Sequence, residues 1–124
     1  MIYVENLSKS FGGVQVLKQI DMHITPGEKV VVVGPSGSGK STFLRCLNLL
    51  ETPTSGSIIF EGDDLTDKKT DLNKHRQKMG MVFQQFNLFN HLTVLENAIV
   101  PQVDILGRSR QEACDIAVNN LKRV

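Results

Sequence analysis

Residues Val30–Thr42 read VVVVGPSGSGKST. A run of valines enters a turn of glycines and serines, and the turn ends on a lysine and two hydroxyl residues. Gly34, Gly39, Lys40 and Ser41 meet the spacing G-x-x-x-x-G-K-[ST]. An uninterrupted β-branched run fits a strand buried on both faces of a parallel sheet. After the turn, Phe43, Leu44, Leu47 and Leu50 recur at helical spacing. The stretch therefore predicts strand, loop and helix in immediate succession.

Each part of such a loop has a physical task. Glycines permit backbone conformations and close approaches that a Cβ would block. Successive N–H groups from about Ser36 to Ser41 then point into one concavity and bind anionic oxygens. A helix opening at Gly39 adds the positive end of its dipole. Lys40 reaches the β- and γ-phosphates, the Ser41 hydroxyl is placed for Mg²⁺, and Thr42 lies near the α-phosphate. Gly34, Pro35, Ser36, Gly37, Ser38, Gly39, Lys40, Ser41 and Thr42 together form the candidate nucleotide-binding set.

The chain has 124 residues, enough for one core, with 40% hydrophobic residues and a net charge of +1. A near-neutral balance argues against a general nucleic-acid binder. Cys46 and Cys114 match no metal spacing and no small disulfide framework, so they read as free thiols of a reducing compartment. No apolar run approaches the roughly 18 residues of a membrane span. The first residues, MIYVENLSKSF, lack a signal peptide's apolar segment.

Elsewhere, MIYVEN has strand composition, and VQVLKQIDMHI (14–24) alternates apolar and polar residues, with slips, as a half-solvated antiparallel strand does. TPGE (25–28) is a turn and IIFEG a short strand. Residues 70–78 read as a polar surface helix, and the basic run NKHRQK within them as a solvated face. MGMVFQ reads as a second buried strand, and QFNLFNHL as a loop with apolar anchors. Thr93 with Glu96, and Ser109 with Glu112, each have capping-box spacing and open two further helices. Ala113, Ile116, Ala117, Leu121 and Val124 form one apolar stripe on the second of them.

The flanks narrow the family. The stretch from LSKSFGG to GSIIFEGDDL, with RCLNLLE and GMVFQQFNLFNHLTVLENA, resembles the nucleotide-binding subunits of ATP-binding cassette (ABC) transporters, in particular those that power import of polar amino acids. The resemblance implies the α/β P-loop NTPase fold of the ABC ATPase type. Residues 1–85 would hold the antiparallel β subdomain and the P-loop core, and residues 86–124 the Q-loop and the start of the helical subdomain. It implies that Phe11 stacks on adenine, that Val16 packs near the same base, and that Gln84 is the Q-loop glutamine near Mg²⁺ and the attacking water. Plain core packing stays open for Phe11. The ligands implied are ATP and Mg²⁺. The partners implied are permease subunits and a second copy of the cassette, with the protein peripheral on the cytoplasmic face of the membrane.

Three family features have no match in these residues: a signature loop, an Asp-Glu strand end and a switch histidine. IIFEGDD imitates the strand end but turns at Gly62. No residue is therefore assigned as catalytic, and the alternative is a nucleotide-binding fragment without hydrolysis or transport of its own. His23, His75 and His91 are scattered and take no chemical role. A small kinase or GTPase fits less well, because LNKHRQ supplies no base-reading motif.

Overall fold

The computed structural model describes all residues, 1–124, in eight elements. They are β1 (Ile2–Phe11), β2 (Val14–Ile24), α1 (Lys40–Leu47), β3 (Ser55–Phe60), β4 (Asp63–Asp64), α2 (Leu72–Arg76), α3 (Val94–Asp104) and α4 (Arg110–Lys122). The chain divides into two compact units, Met1–Met79 and Gly80–Val124.

In the first unit, four antiparallel strands form one sheet in the order β2-β1-β3-β4. Val4, Leu7, Leu17, Ile58 and Phe60 are buried on one face and meet Phe43, Cys46 and Leu49 of the α1 segment. The slips in the β2 alternation have a cause. The register with β1 shifts between Val4 and Leu7, and Asn6 and Gln19 both take positive φ. Such bulges place the apolar side chains back on the core face. Side chains satisfy the freed amides: Asn6 N donates to Asp21 Oδ1 at 2.6 Å, and Gln19 N to Ser8 Oγ at 3.0 Å.

Gly56 marks where β3 crosses this bulge. A Cβ there would lie 2.5 Å from the carbonyl oxygens of Glu5 and Asn6, and its φ is +89°. The TPGE turn forms as expected, with Glu28 N donating to Thr25 O at 3.2 Å.

In the second unit α3 and α4 pack through Ile99, Ala113 and Ala117. The Thr93/Glu96 capping box is complete: Thr93 Oγ1 accepts from Glu96 N at 3.2 Å, and Glu96 Oε2 accepts from Thr93 N at 3.0 Å. At α4 the Ser109 hydroxyl accepts from Glu112 N at 3.2 Å, while the Glu112 carboxylate faces Arg108 Nε at 3.9 Å. Of the predicted α4 stripe, Ala113 and Ala117 are buried, Ile116 is half-buried, and Leu121 and Val124 are exposed.

Three sequence expectations differ from the structure. Val30–Val33 and Met81–Phe83 are not strands, and the sheet contains neither. Val31, Val33 and Val82 are 81%, 85% and 98% exposed. Apolar β-branched composition specifies a buried strand only where neighbouring strands supply ladder partners and facing side chains. No strand pairs with either segment. The polar helix is also shorter than expected. It covers only Leu72–Arg76, opened by Asp71, whose carboxylate accepts from Asn73 N and Lys74 N.

Candidate phosphate-binding site

The loop from Gly34 to Thr42 closes on its own lysine. The Lys40 ammonium donates to Gly34 O at 2.8 Å and to Pro35 O at 2.7 Å, and lies 3.4 Å from Ser38 Oγ. Ser38 N donates to Pro35 O at 3.3 Å. The lysine thus spans the turn from its first glycine to its last serine.

Gly39 is the N-cap of α1, in a left-handed conformation with φ 92°, and no side chain caps the helix there. The helical ladder starts with Phe43 N donating to Gly39 O at 2.8 Å. Amides of the first turn have no partner within a helix. Here no side chain caps them, an arrangement that can receive an anion. Only glycine suits position 39. Besides its φ, a Cβ would lie 3.0 Å from both Val16 Cγ1 and Leu17 Cδ2, and 3.3 Å from Val16 O. The loop is therefore seated directly on β2.

That contact places two expected residues together, since half-buried Val16 lies against the glycine that opens α1. Phe11 ends β1 opposite Val14, across the two-residue turn Gly12–Gly13. Phe11 is 43% exposed, and the Lys9 ammonium stands 4.6 Å from its ring centroid. Ser41 is exposed and Thr42 half-buried on the first turn of α1. Gln84 belongs to the second unit, in an exposed bend. No group of three or more His, Cys, Asp or Glu side chains is arranged to hold a metal ion.

A cavity of about 320 Å³ opens between β2, the loop and α1, lined by Leu17, Ile20, Met22, Pro35, Lys40 and Phe43 among others. Its walls are largely aliphatic and Lys40 is their only charged group. Gly34, Ser38 and Gly39 of the loop also line it.

Four organising residues escape a reading by motif. Arg76 donates from Nε to Asn48 O at 3.0 Å and from a terminal nitrogen to Leu49 O at 2.9 Å, so it holds the carbonyls just beyond α1. Beside it His75 is buried, with Nε2 3.4 Å from Asp63 Oδ2 and its ring edge-on to Phe60. The run NKHRQK is therefore only partly a solvated face. Lys9 pairs with Glu51 at 2.6 Å. Asn97 binds backbone at Phe89, Leu92 and Thr93. A signal for Asn97 did exist: asparagine is a poor interior helix former, and its place one turn after an N-cap suggests side-chain bonding to the preceding loop. Cys46 is fully buried, and that burial pushes its thiol pKa up, which leaves it an inert core residue.

The family pattern described as ABC transporter matches residues 17–124. The chain belongs to the ABC transporter family. It is 53% identical, over all of its length, to the arginine transport ATP-binding protein ArtM of Bacillus subtilis (strain 168), and covers 52% of that protein. It is 51% identical to the glutamine transport ATP-binding protein GlnQ of Escherichia coli (strain K12), again over its whole length and 52% of the relative. Among solved structures it resembles the ATP-binding cassette MJ0796, in a dimeric post-hydrolysis state bound to ADP and Pi. The TM-score is 0.87 at 38% identity, covering 98% of this chain and 56% of the other. The chain thus spans about half the length of the relatives it matches. Within this ABC family member, no helix is long and apolar enough to cross a membrane.

Proposed function

We propose that this chain forms the ATP-binding portion of the cassette subunit of an importer of polar amino acids, and that ATP hydrolysis in the whole subunit drives transport. The relatives named above, an arginine transport and a glutamine transport ATP-binding protein, support the substrate class. The observation that carries the reading is the loop itself: a lysine ammonium held by two carbonyls and a hydroxyl, beside a helix N-terminus without a side-chain cap.

The acceptors now around Lys40 are neutral. The bonds to these carbonyls are already charge-assisted through the ammonium, and phosphate oxygens would add the attraction between opposite full charges. A triphosphate would therefore draw Lys40 from the carbonyls of Gly34 and Pro35 onto its β- and γ-oxygens. The amides from Ser36 to Ser41 would bind the remaining oxygens, and Thr42 would lie by the α-phosphate. Phe11 would supply the flat face for adenine, with Val16 packed beside the base. The donor set suits Mg²⁺, which takes hydroxyl and phosphate oxygens and keeps several waters. Ser41 would hold the ion, which when bound would neutralise charge on the phosphates. The subunit would act as a pair with a second copy, on permease subunits at the cytoplasmic face of the membrane.

Displacement of a fluorescent ATP analogue tests this reading. ATP is expected to compete and AMP, which lacks the β- and γ-phosphates, to compete far more weakly. Equal competition by the two nucleotides would remove the role given to the loop.

A further inference from the structure

Phe11 does not stand alone at the end of β1. Lys9, two residues earlier, folds its side chain back so that the ammonium stands 4.6 Å from the Phe11 ring centroid. The same ammonium reaches Glu51 Oε1 at 2.6 Å and donates to Thr52 O at 2.7 Å. The Lys9 side chain is only 12% exposed and that of Glu51 29%. Glu51 is itself fixed to the phosphate-loop helix, because its N–H donates to Arg45 O at 3.0 Å. A continuous set of contacts therefore runs from the ring through Lys9 and Glu51 to α1. The exposed part of the ring is left for a ligand.

We propose that Lys9 is a positioning residue for the base of the nucleotide: it fixes the Phe11 ring as a platform and ties that platform to the helix that carries the phosphate loop. The inference rests on the reading of Phe11 as the base platform. Its physical content is twofold. An aromatic face carries negative π density, which opposes the π cloud of a base stacked squarely upon it. A cation on the ring draws that density toward itself and holds the ring by its quadrupole. The anchoring of the cation at Glu51 and Thr52 keeps the ring in one orientation, so less freedom is lost when a base arrives. Lys9 acts through Phe11 and leaves the phosphates to Lys40.

The test compares two ligands, ATP and inorganic triphosphate, by titration calorimetry on the wild-type chain and on Lys9→Met, Lys9→Arg and Phe11→Ala. Lys9→Met keeps the aliphatic stem and removes the charge. It is expected to weaken ATP about three- to tenfold, the range a partly desolvated cation–π contact allows, with inorganic triphosphate unchanged within about twofold. Unchanged triphosphate binding also reports an intact loop. Lys9→Arg, which keeps a cation for the ring and for Glu51, should restore ATP binding. If Lys9→Met does not fold, Lys9→Gln answers the same question. Equal weakening of both ligands would mean that Lys9 acts as a general positive charge, and no weakening of either would mean it acts only in the fold; each result overturns the proposal. The Phe11→Ala arm separates the two layers. Loss of the preference for ATP in Phe11→Ala but not in Lys9→Met would overturn the Lys9 inference alone. A preference that survives Phe11→Ala would remove the base platform and the inference with it.

Discussion

Asn97 holds Phe89 at both ends of one residue's backbone: Phe89 N donates to Asn97 Oδ1 at 2.8 Å, and Asn97 Nδ2 donates to Phe89 O at 3.1 Å. The same amide nitrogen lies 3.0 Å from Thr93 O and 3.3 Å from Leu92 O. One side chain on the first turn of α3 thus shapes the loop before it, where Phe86 is 91% exposed and Phe89 53% exposed. Asn97→Ala should release this loop and destabilise the second unit by about 1–3 kcal/mol, the cost of leaving such groups unpaired. Amide hydrogen exchange at Phe89 checks it, with faster exchange expected in the variant. Asn97→Asp keeps the acceptor but loses the donors, so it should preserve protection at the Phe89 N–H better than alanine does.

Gly56 and Gly62 form a matched pair. Both have positive φ, +89° and +96°, but a Cβ at 56 meets two carbonyl oxygens at 2.5 Å and a Cβ at 62 meets nothing within 4 Å. Gly62→Ala should cost only backbone strain, about 1 kcal/mol. Gly56→Ala must also displace β1 from β3 and should cost clearly more, about 3 kcal/mol or above. Urea unfolding of the two variants decides, and equal costs would mean that the bulge at Asn6 adapts freely.

The fate of the valine run and of the basic run shows what a sequence conveys and what it leaves out. The Gly34–Thr42 turn was legible because its glycines take positive φ, which other residues rarely adopt, and because its lysine and hydroxyls keep the spacing of an anion-binding motif. The strand at 14–24 was legible because its alternation is local as well, whereas β1 was read only over its first residues and runs on to Phe11. Val30–Val33 were readable as an apolar strand but not as an exposed segment, because burial depends on neighbours that lie elsewhere in a chain. Arg76 and Lys9 were missed for a related reason. Each is an ordinary surface residue by composition, and acquires a role only when folding brings it to the backbone beyond α1, from 27 residues away for Arg76 and Leu49.

Arg76→Met tests that connection. It keeps the stem's packing and removes two donors from Asn48 O and Leu49 O. A loss of about 1.5–3 kcal/mol is expected, as for hydrogen bonds to a charged group, read as a lower midpoint in denaturant.

The capping box at α3 makes stability depend on pH. The Thr93 amide, and after it the Thr93 hydroxyl, hold the Glu96 carboxyl below its ordinary pKa of 4.5. A group whose folded pKa is lowered contributes stability that is present above the ordinary value and is lost as pH falls through the folded one. Wild-type and Glu96→Gln chains should therefore differ most in melting temperature near neutral pH, and converge as pH falls below 4.5. Glu28 and Glu61 are lowered in the same direction, so the comparison with the variant, rather than the wild-type curve alone, isolates Glu96. A difference constant with pH would show that the carboxylate charge plays no part in the cap.

The role of the loop is tested most simply by titrating ATP into the wild-type chain and into Lys40→Ala. The Lys40 ammonium makes its hydrogen bonds to loop oxygens, at Gly34, Pro35 and Ser38, and Lys40 is no part of either buried cluster, so the variant should keep its circular dichroism spectrum. Its affinity for ATP should fall at least about tenfold, equivalent to about 1.4 kcal/mol. Equal affinity in the two folded chains would contradict the assignment of Gly34–Thr42 as the phosphate-binding loop.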